Sequence, residues 1–318
     1  MNTLTLFAGA GGADIGLKAA GCHHIECVEG DANAVSTLIA AGFPGVHGWI
    51  GQPPEGVTTK KWEWNGQPVD LLWCSPPCQP FSSAGLRKGS DDSRNGWPAT
   101  LEAIKQIKPR CAIIENVGGA PVQEWVEQLQ PLYRHVEARF LDAADWGLPS
   151  HRRRWFIIAG DVPVRWPKPT HYGPDTPWML RIGLQPWNSI GQALGIDPNC
   201  RYYPMDTTSQ FTPPEGYDVL TPATAMTTRG NQYLTLPSPT ICGADSHGLG
   251  SVYSRDYVEK ATGRRALKWQ ECAILMDFPA DYPFQGNIGQ HYKQIGNAVA
   301  PIMAEVIGRA VIEAFKSQ

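Results

Sequence analysis

Short apolar runs alternate with amphipathic helical stretches from residue 4 to about residue 160. Leu4-Thr5-Leu6-Phe7, Ile25-Glu26-Cys27-Val28, Asp70-Leu71-Leu72-Trp73, Cys111-Ala112-Ile113-Ile114 and the run Arg154 to Ala159 read as strands. Ala13 to Ala20 (ended by Gly21), Trp97 to Ile107 and Val122 to Leu132 read as helices, with Ala103, Ile104 and Ile107 on one side of the second. Strands separated by helices imply βαβ crossovers. The pattern therefore predicts an α/β fold with a Rossmann-like, mostly parallel sheet and flanking helices.

The texture changes near Val162. From there to about residue 262, Pro, Gly, Thr, Tyr and Trp dominate and helical periodicity is scarce. We expect residues 1–161 and 263–318 to form the main domain and 162–262 a loop-rich companion, which a length of 318 residues permits. Lys268 to Met276 and Ile302 to Phe315 read as helices.

Composition bounds the partners. Apolar residues make up 42% of the chain and charged residues 18%, which suits a packed core and not a disordered chain. The net charge of -3 means that an anionic partner must be met by a local basic patch. No apolar run approaches the roughly 18 residues that span a bilayer, and the chain opens on a strand without a basic leader. No membrane association is expected, the eight cysteines read as thiols of a reducing compartment, and the expected location is cytoplasmic.

Two stretches suggest chemistry. Phe7-Ala8-Gly9-Ala10-Gly11-Gly12 joins the first strand to the first helix, where glycines let a cofactor approach the backbone. The spacing is not G-x-G-x-x-G, so a nucleoside cofactor without phosphates fits as well as a dinucleotide. Glu29, at the end of the second strand, can accept from ribose hydroxyls; a glycine turn beside a surface Glu is the plainer alternative.

The second stretch is Cys74-Ser75-Pro76-Pro77-Cys78-Gln79-Pro80-Phe81. Zinc is disfavoured because the other cysteines are scattered and the histidines remote, and no metal is expected. Three residues between the cysteines, two of them proline, also do not suit a redox pair. Cys74 reads as strand-end packing. Cys78 lies past the carboxyl end of a parallel strand, where open α/β sheets bind ligands, and reads as a nucleophile. A thiol of ordinary pKa near ~8.5 needs activation and an acid to protonate whatever it attacks. Glu115, at a strand end, and Arg152-Arg153-Arg154, just before a strand, can supply these partners if that strand runs antiparallel to the rest. Taken singly, a capping Glu and a solvated basic loop would be the ordinary explanations.

In this order the residues resemble the cytosine carbon-5 DNA methyltransferases across nearly the whole chain. Phe7 to Gly12 is similar to the family's first cofactor motif and Glu29-Gly30-Asp31 to its second; Pro77-Cys78-Gln79 resembles the catalytic loop and Asp92-Ser93-Arg94 the segment after it. Glu115-Asn116-Val117, Arg152-Arg153-Arg154, Glu271 to Pro279 and Gly296-Asn297-Ala298-Val299 resemble the remaining motifs. The resemblance implies a class I methyltransferase fold, S-adenosylmethionine as donor (S-adenosylhomocysteine as product) and double-stranded DNA holding a specific cytosine as substrate. It implies Cys78, Glu115, Arg152 and Arg154 as catalytic residues. Phe7, Gly9, Gly11, Gly12, Glu29, Trp49, Ile50, Pro77, Asn297 and Ala298 are implied at the cofactor.

For DNA it implies Gln79, Ser82, Arg87, Lys88 and Arg94 in a mobile loop, and Arg229 and Thr240 in a recognition domain over 162–262. Asn231, Gln232, Ser246 and His247 are further candidates there. A monomer, with a possible partner restriction endonuclease, in a prokaryotic or virus-infected cell and associated with its nucleoid, is the corresponding expectation. Alternatives are an RNA cytosine-5 methyltransferase, whose usual Cys-Phe-Thr tripeptide this chain lacks, a relative using a modified donor, and an inactive paralogue.

Three departures stand out. Trp49 occupies the place of an acidic residue that accepts from adenine, and Gly30 that of a bulky residue stacking on it. The expectation is that Trp49 takes over the adenine contact. Ser150 replaces the Gln usual before the Arg motif, and Ile274 and Asp277 stand where Arg and Gly are common.

Overall fold

The computed structural model describes residues 1–54, 56–77, 95–195, 237–238, 240–241 and 267–317, with the backbone of short strands at 201–202, 220–221, 232–233 and 265–266. At its centre is a seven-stranded sheet, β1 (Asn2–Leu6), β2 (His23–Glu29), β3 (Gly45–His47), β4 (Leu71–Cys74), β5 (Cys111–Asn116), β6 (His135–Asp142) and β7 (Arg153–Gly160), in the order β3-β2-β1-β4-β5-β7-β6. β1 to β5 pair in parallel, and β7 runs antiparallel to both β5 and β6.

The central strands β1, β4 and β5 and most of β7 are buried on both faces, so the period of two divides their side chains between two cores. Trp73, Ile113, Phe156 and Ile158 enter one cluster, with Leu17, Met303 and Ile307. Leu72, Ile114 and Ile157 enter the other, with Trp97, Ile104 and Trp125. Helix α1 (Gly12–Ala20) ends at Gly21, φ 96°, and packs on the C-terminal helix Pro301–Lys316. Gly16 permits that approach, since a Cβ there would lie 2.0 Å from the Pro301 carbonyl oxygen. Helix α2 (Ala32–Ala40) is capped by Asp31, which accepts from the Asn33 and Ala34 N–H groups. Helix α3 (Trp97–Ile107) matches the sequence reading, whereas α4 (Val122–Leu129) stops before Pro131. Among the described residues no helix is long and apolar enough to cross a membrane.

The sequence reading leaves β6, α2, β3 and the helix Ile288–Asn297 unassigned. β6 is an edge strand whose alternation is mostly polar, and Ile288–Asn297 carries few apolar residues. Of the described residues between 162 and 262, Val164, Ile190 and Ile241 are buried in the same cluster as Trp73 and Phe156. That part of the segment is anchored directly on the sheet's core.

Candidate active site

The strand order reverses between β1 and β4: β2 and β3 lie to one side of that pair and β5, β7 and β6 to the other. Ligands bind outside the carboxyl ends of strands at such a switch point. β1 exits there into Phe7 to Gly12, and β4 into Ser75-Pro76-Pro77.

The glycine turn is left-handed at Phe7 (φ 56°), Gly9 (φ 56°) and Gly11 (φ 85°). Glu29 ties it to β2: its Oε2 accepts the Gly9 N–H at 2.8 Å, and Oε1 accepts those of Gly30 and Asp31 at 2.7 and 2.8 Å. Burial pushes the carboxyl up and the three N–H groups oppose that shift. A carboxylate offers about four acceptor positions, so one remains for a ligand hydroxyl.

The glycines divide by role. A Cβ on Gly9 would meet nothing within 4 Å, so Gly9 faces open space. A Cβ on Gly11 would lie 2.8 Å from the Tyr282 hydroxyl, and one on Gly12 2.2 Å from the Val299 carbonyl oxygen and 3.1 Å from Ala298 Cβ. Gly11 and Gly12 thus admit interior neighbours, and Gly12 brings the Asn297-Ala298 corner against the turn. Asn297 is exposed at the end of its helix, while Ala298 is buried.

Trp49 lies against Gly30: a Cβ at Gly30 would be 3.1 Å from Trp49 Cε3 and 3.3 Å from Cζ3. The indole fills the volume that a side chain at 30 would take, and it is half-buried. Ile50 is buried in the sheet's second core with Val69 and Leu72.

On the β4 side, Cys74 is fully buried and burial pushes its thiol up, which suits packing and not nucleophilic attack. Pro77 and Pro76 close on Gly96, where a Cβ would lie 2.6 and 2.9 Å from them and 3.3 Å from the Phe7 ring. The Asn116 carboxamide donates to the Pro76 carbonyl at 3.0 Å. Asn116 lies inside the Glu-Asn-Val motif, and its partner Pro76, 40 positions away, carries no local signal of the tether. Cys78, Gln79, Ser82, Arg87, Lys88, Arg94 and Arg229 lie outside the described residues, as do Asn231, Ser246 and His247.

Because β7 is antiparallel, its start reaches the edge where β5 ends. Arg154 Nε lies 3.1 Å from Glu115 Oε1, and both side chains are largely buried. Arg152 behaves differently. It is buried, and its guanidinium donates to the carbonyls of Ile241 and Gly296, both at 3.2 Å. Thr240 uses its hydroxyl to donate to the His151 carbonyl at 2.7 Å. The site therefore sets a carboxylate–guanidinium pair beside a rigid proline exit, across the switch point from an open glycine turn with an acceptor behind it.

A family model described as C-5 cytosine-specific DNA methylase matches residues 1–179 and 201–313. The chain is 29% identical to the Type II methyltransferase M.AplI of Arthrospira platensis over 97% of its own length and 84% of that protein. It is 27% identical to the Type II methyltransferase M.NgoMIV of Neisseria gonorrhoeae over 99% of its length and 98% of that protein. In structure it superposes on the S. pombe Dnmt2 methyltransferase with a TM-score of 0.60 at 14% identity, covering 100% of this chain and 99% of that one, a likeness of fold. With the family's model matched along nearly its whole length and the switch-point site in place, the chain belongs to the C-5 cytosine-specific DNA methylases and is a DNA cytosine-5 methyltransferase.

Proposed function

We propose that the enzyme methylates a flipped cytosine in double-stranded DNA, with Cys78 as nucleophile and Glu115 and Arg154 holding the base. The observation that carries this reading is the Arg154–Glu115 pair at 3.1 Å, at the edge where Asn116 ties down the Pro76-Pro77 exit that leads to Cys78. Carbon 5 of cytosine is a poor nucleophile. Addition of the Cys78 thiolate to carbon 6 forms an S–C bond and moves an electron pair towards carbon 5. Glu115, by holding or protonating ring N3, takes up the negative charge this creates, and Arg154 binds the O2 oxygen. S-adenosylmethionine, when bound, supplies the electrophilic methyl group. Loss of the carbon-5 proton to a base then expels Cys78 and restores the ring. A base inside a duplex is out of reach of these groups, so it must leave the stack.

The residues present fit the donor. Gly9 faces open space, Glu29 keeps an acceptor position free for a ribose hydroxyl, and Trp49 offers an aromatic face beside Gly30 in place of the missing side chain. Arg152 serves by fixing Ile241 and Gly296, and Thr240 by fixing His151, so both act through the protein framework. Residues 162–262 act as the target-recognition region, with Arg229 among its base contacts. The loop carrying Gln79, Ser82, Arg87, Lys88 and Arg94 meets the DNA backbone. The enzyme works as a monomer in the cytoplasm, on nucleoid DNA, beside a cognate restriction endonuclease.

A duplex carrying 5-fluorocytosine tests the chemistry, because fluorine cannot leave carbon 5 as the proton does. Wild type should form a denaturation-resistant adduct in the presence of S-adenosylmethionine, and Cys78→Ala should form none. An adduct that persists in Cys78→Ala, or its absence in wild type, would overturn the assignment. Mass spectrometry of the product base identifies the transferred group.

A further inference from the structure

Three consecutive arginines enter β7, yet only one pairs with Glu115, and something must sort them. Arg152 is held by the Ile241 and Gly296 carbonyls. Arg153 donates from Nε to Asp142 Oδ2 at 2.9 Å, away from Glu115. Asp142, the last residue of β6, collects further donors: the Arg152 N–H at 3.0 Å and the Ala144 N–H at 3.3 Å on Oδ1, and the His151 Nδ1 at 2.8 Å on Oδ2.

The His151 ring has a second neighbour. It meets the Trp187 indole edge-on, with centroids 4.9 Å apart and planes at 86°. Trp187 is fixed in turn: its Nε1 donates to Asp145 Oδ1 at 3.0 Å and its backbone N–H to the Tyr172 carbonyl at 3.0 Å. The ring also covers Gly173, where a Cβ would lie 2.4 Å from Cη2. Trp187 belongs to residues 180–200, the internal stretch that the family model leaves unmatched.

We propose that Asp142, backed by His151 and Trp187, is the positioning group for the base-binding pair: it binds Arg153 and the His151–Arg152 turn so that Arg154 alone is delivered to Glu115. This rests on the reading that Arg154 and Glu115 hold the cytosine. The physical need is clear. An arginine side chain carries about 2 kcal/mol of rotamer entropy, so its aim depends on a fixed backbone entry. The entry here is the end of an edge ribbon, where Asp142 faces Arg153 across the pair. Trp187 supplies the outer wall that keeps His151 on the carboxylate.

The test is the rate of adduct formation on a 5-fluorocytosine duplex at saturating S-adenosylmethionine, with DNA affinity measured separately by anisotropy. Asp142→Ala and Trp187→Ala should each slow trapping by between about tenfold and a hundredfold, the range expected from a misplaced group near the chemistry, with DNA affinity changed by less than about twofold. On an Arg154→Ala background the same substitutions should add less than about a further twofold, because the group they aim is gone. Trp187→Phe should keep most of the wild-type rate. Asp142→Ala can fail to fold, and Trp187→Ala then carries the test. Equal slowing in both backgrounds would overturn the positioning role in favour of general destabilisation. Wild-type trapping in the Asp142 and Trp187 variants, with Arg154→Ala slow, would overturn it too. Wild-type trapping in Arg154→Ala would instead overturn the reading of Arg154 itself.

Discussion

Replacing Trp49 by alanine should loosen the cofactor site in a way that a bulky residue at position 30 can repair. The Trp49 ring sits 3.1 and 3.3 Å from where a Gly30 Cβ would be, so the two positions share one volume. Stacking of a base on an aromatic ring contributes about 1–3 kcal/mol by alanine substitution. Trp49→Ala should therefore weaken S-adenosylhomocysteine binding by roughly fivefold to 150-fold. Gly30→Leu alone should also weaken it, because Leu must overlap the indole at a cost of about 1–3 kcal/mol. The double variant removes the clash and places an apolar wall where the indole was. Its loss should be smaller than the sum of the two single losses, by about 1 kcal/mol or more. Isothermal titration of the four proteins with S-adenosylhomocysteine measures this cycle directly. Additive losses, or a Trp49→Ala affinity within about twofold of wild type, would refute the idea that Trp49 takes over the adenine contact of the bulky residue missing at position 30.

Other expectations follow from the same geometry. Gly12→Ala should cost about 3 kcal/mol or more in denaturant titrations, since its Cβ would meet the Val299 backbone oxygen at 2.2 Å. Gly9→Ala has open space and should cost only the ~1–2 kcal/mol of its left-handed φ of 56°, yet it should hinder cofactor binding. Asp277 adopts φ 66°, and burial, with the Glu305 charge, pushes its carboxyl up to about 6 against an opposing Ile302 N–H. A raised carboxyl destabilises the fold as pH rises from about 4 to about 6. Asp277→Asn, which tolerates the same φ, should stabilise at pH 7 by about 1 kcal/mol after solvent screening and not at all below pH ~4. At Asp142 the sign is opposite. Burial raises its carboxyl, but His151, Arg153 and the Ala144 N–H outweigh that and hold it down to about 2. Its contribution of about 2–3 kcal/mol is present above pH ~4 and should be lost as pH falls towards 2, so acid unfolding of Asp142→Asn should begin from a lower plateau.

Much of the site was legible because it hangs on local pattern. Buried strands announce themselves as apolar runs, and a glycine-rich turn between strand and helix marks a backbone that must be left-handed, as Gly9 and Gly11 are. Proline before Cys78 marks a strand end, and Cys74, the other cysteine of that stretch, is the packed one, as its neighbours implied. The polar elements were harder. β6 alternates Glu and Arg with a few apolar residues at a sheet edge, and Ile288–Asn297 gains its stability from what it packs on and not from a strong apolar stripe of its own.

The α/β alternation, the motif order and the residue types able to do the chemistry are local properties, because periodicity, glycine and proline act through the φ and ψ of their own neighbourhood. Which partner each of several equal residues meets is set by the packed fold. Three arginines in a row are chemically identical, and Arg152, Arg153 and Arg154 receive different roles from the Ile241 carbonyl, Asp142 and Glu115, which lie 89, 11 and 39 positions away in the chain. Three glycines are likewise equal until Tyr282 and Val299 arrive beside two of them and leave Gly9 open. Strand direction and packing set those distances, and no local preference carries them.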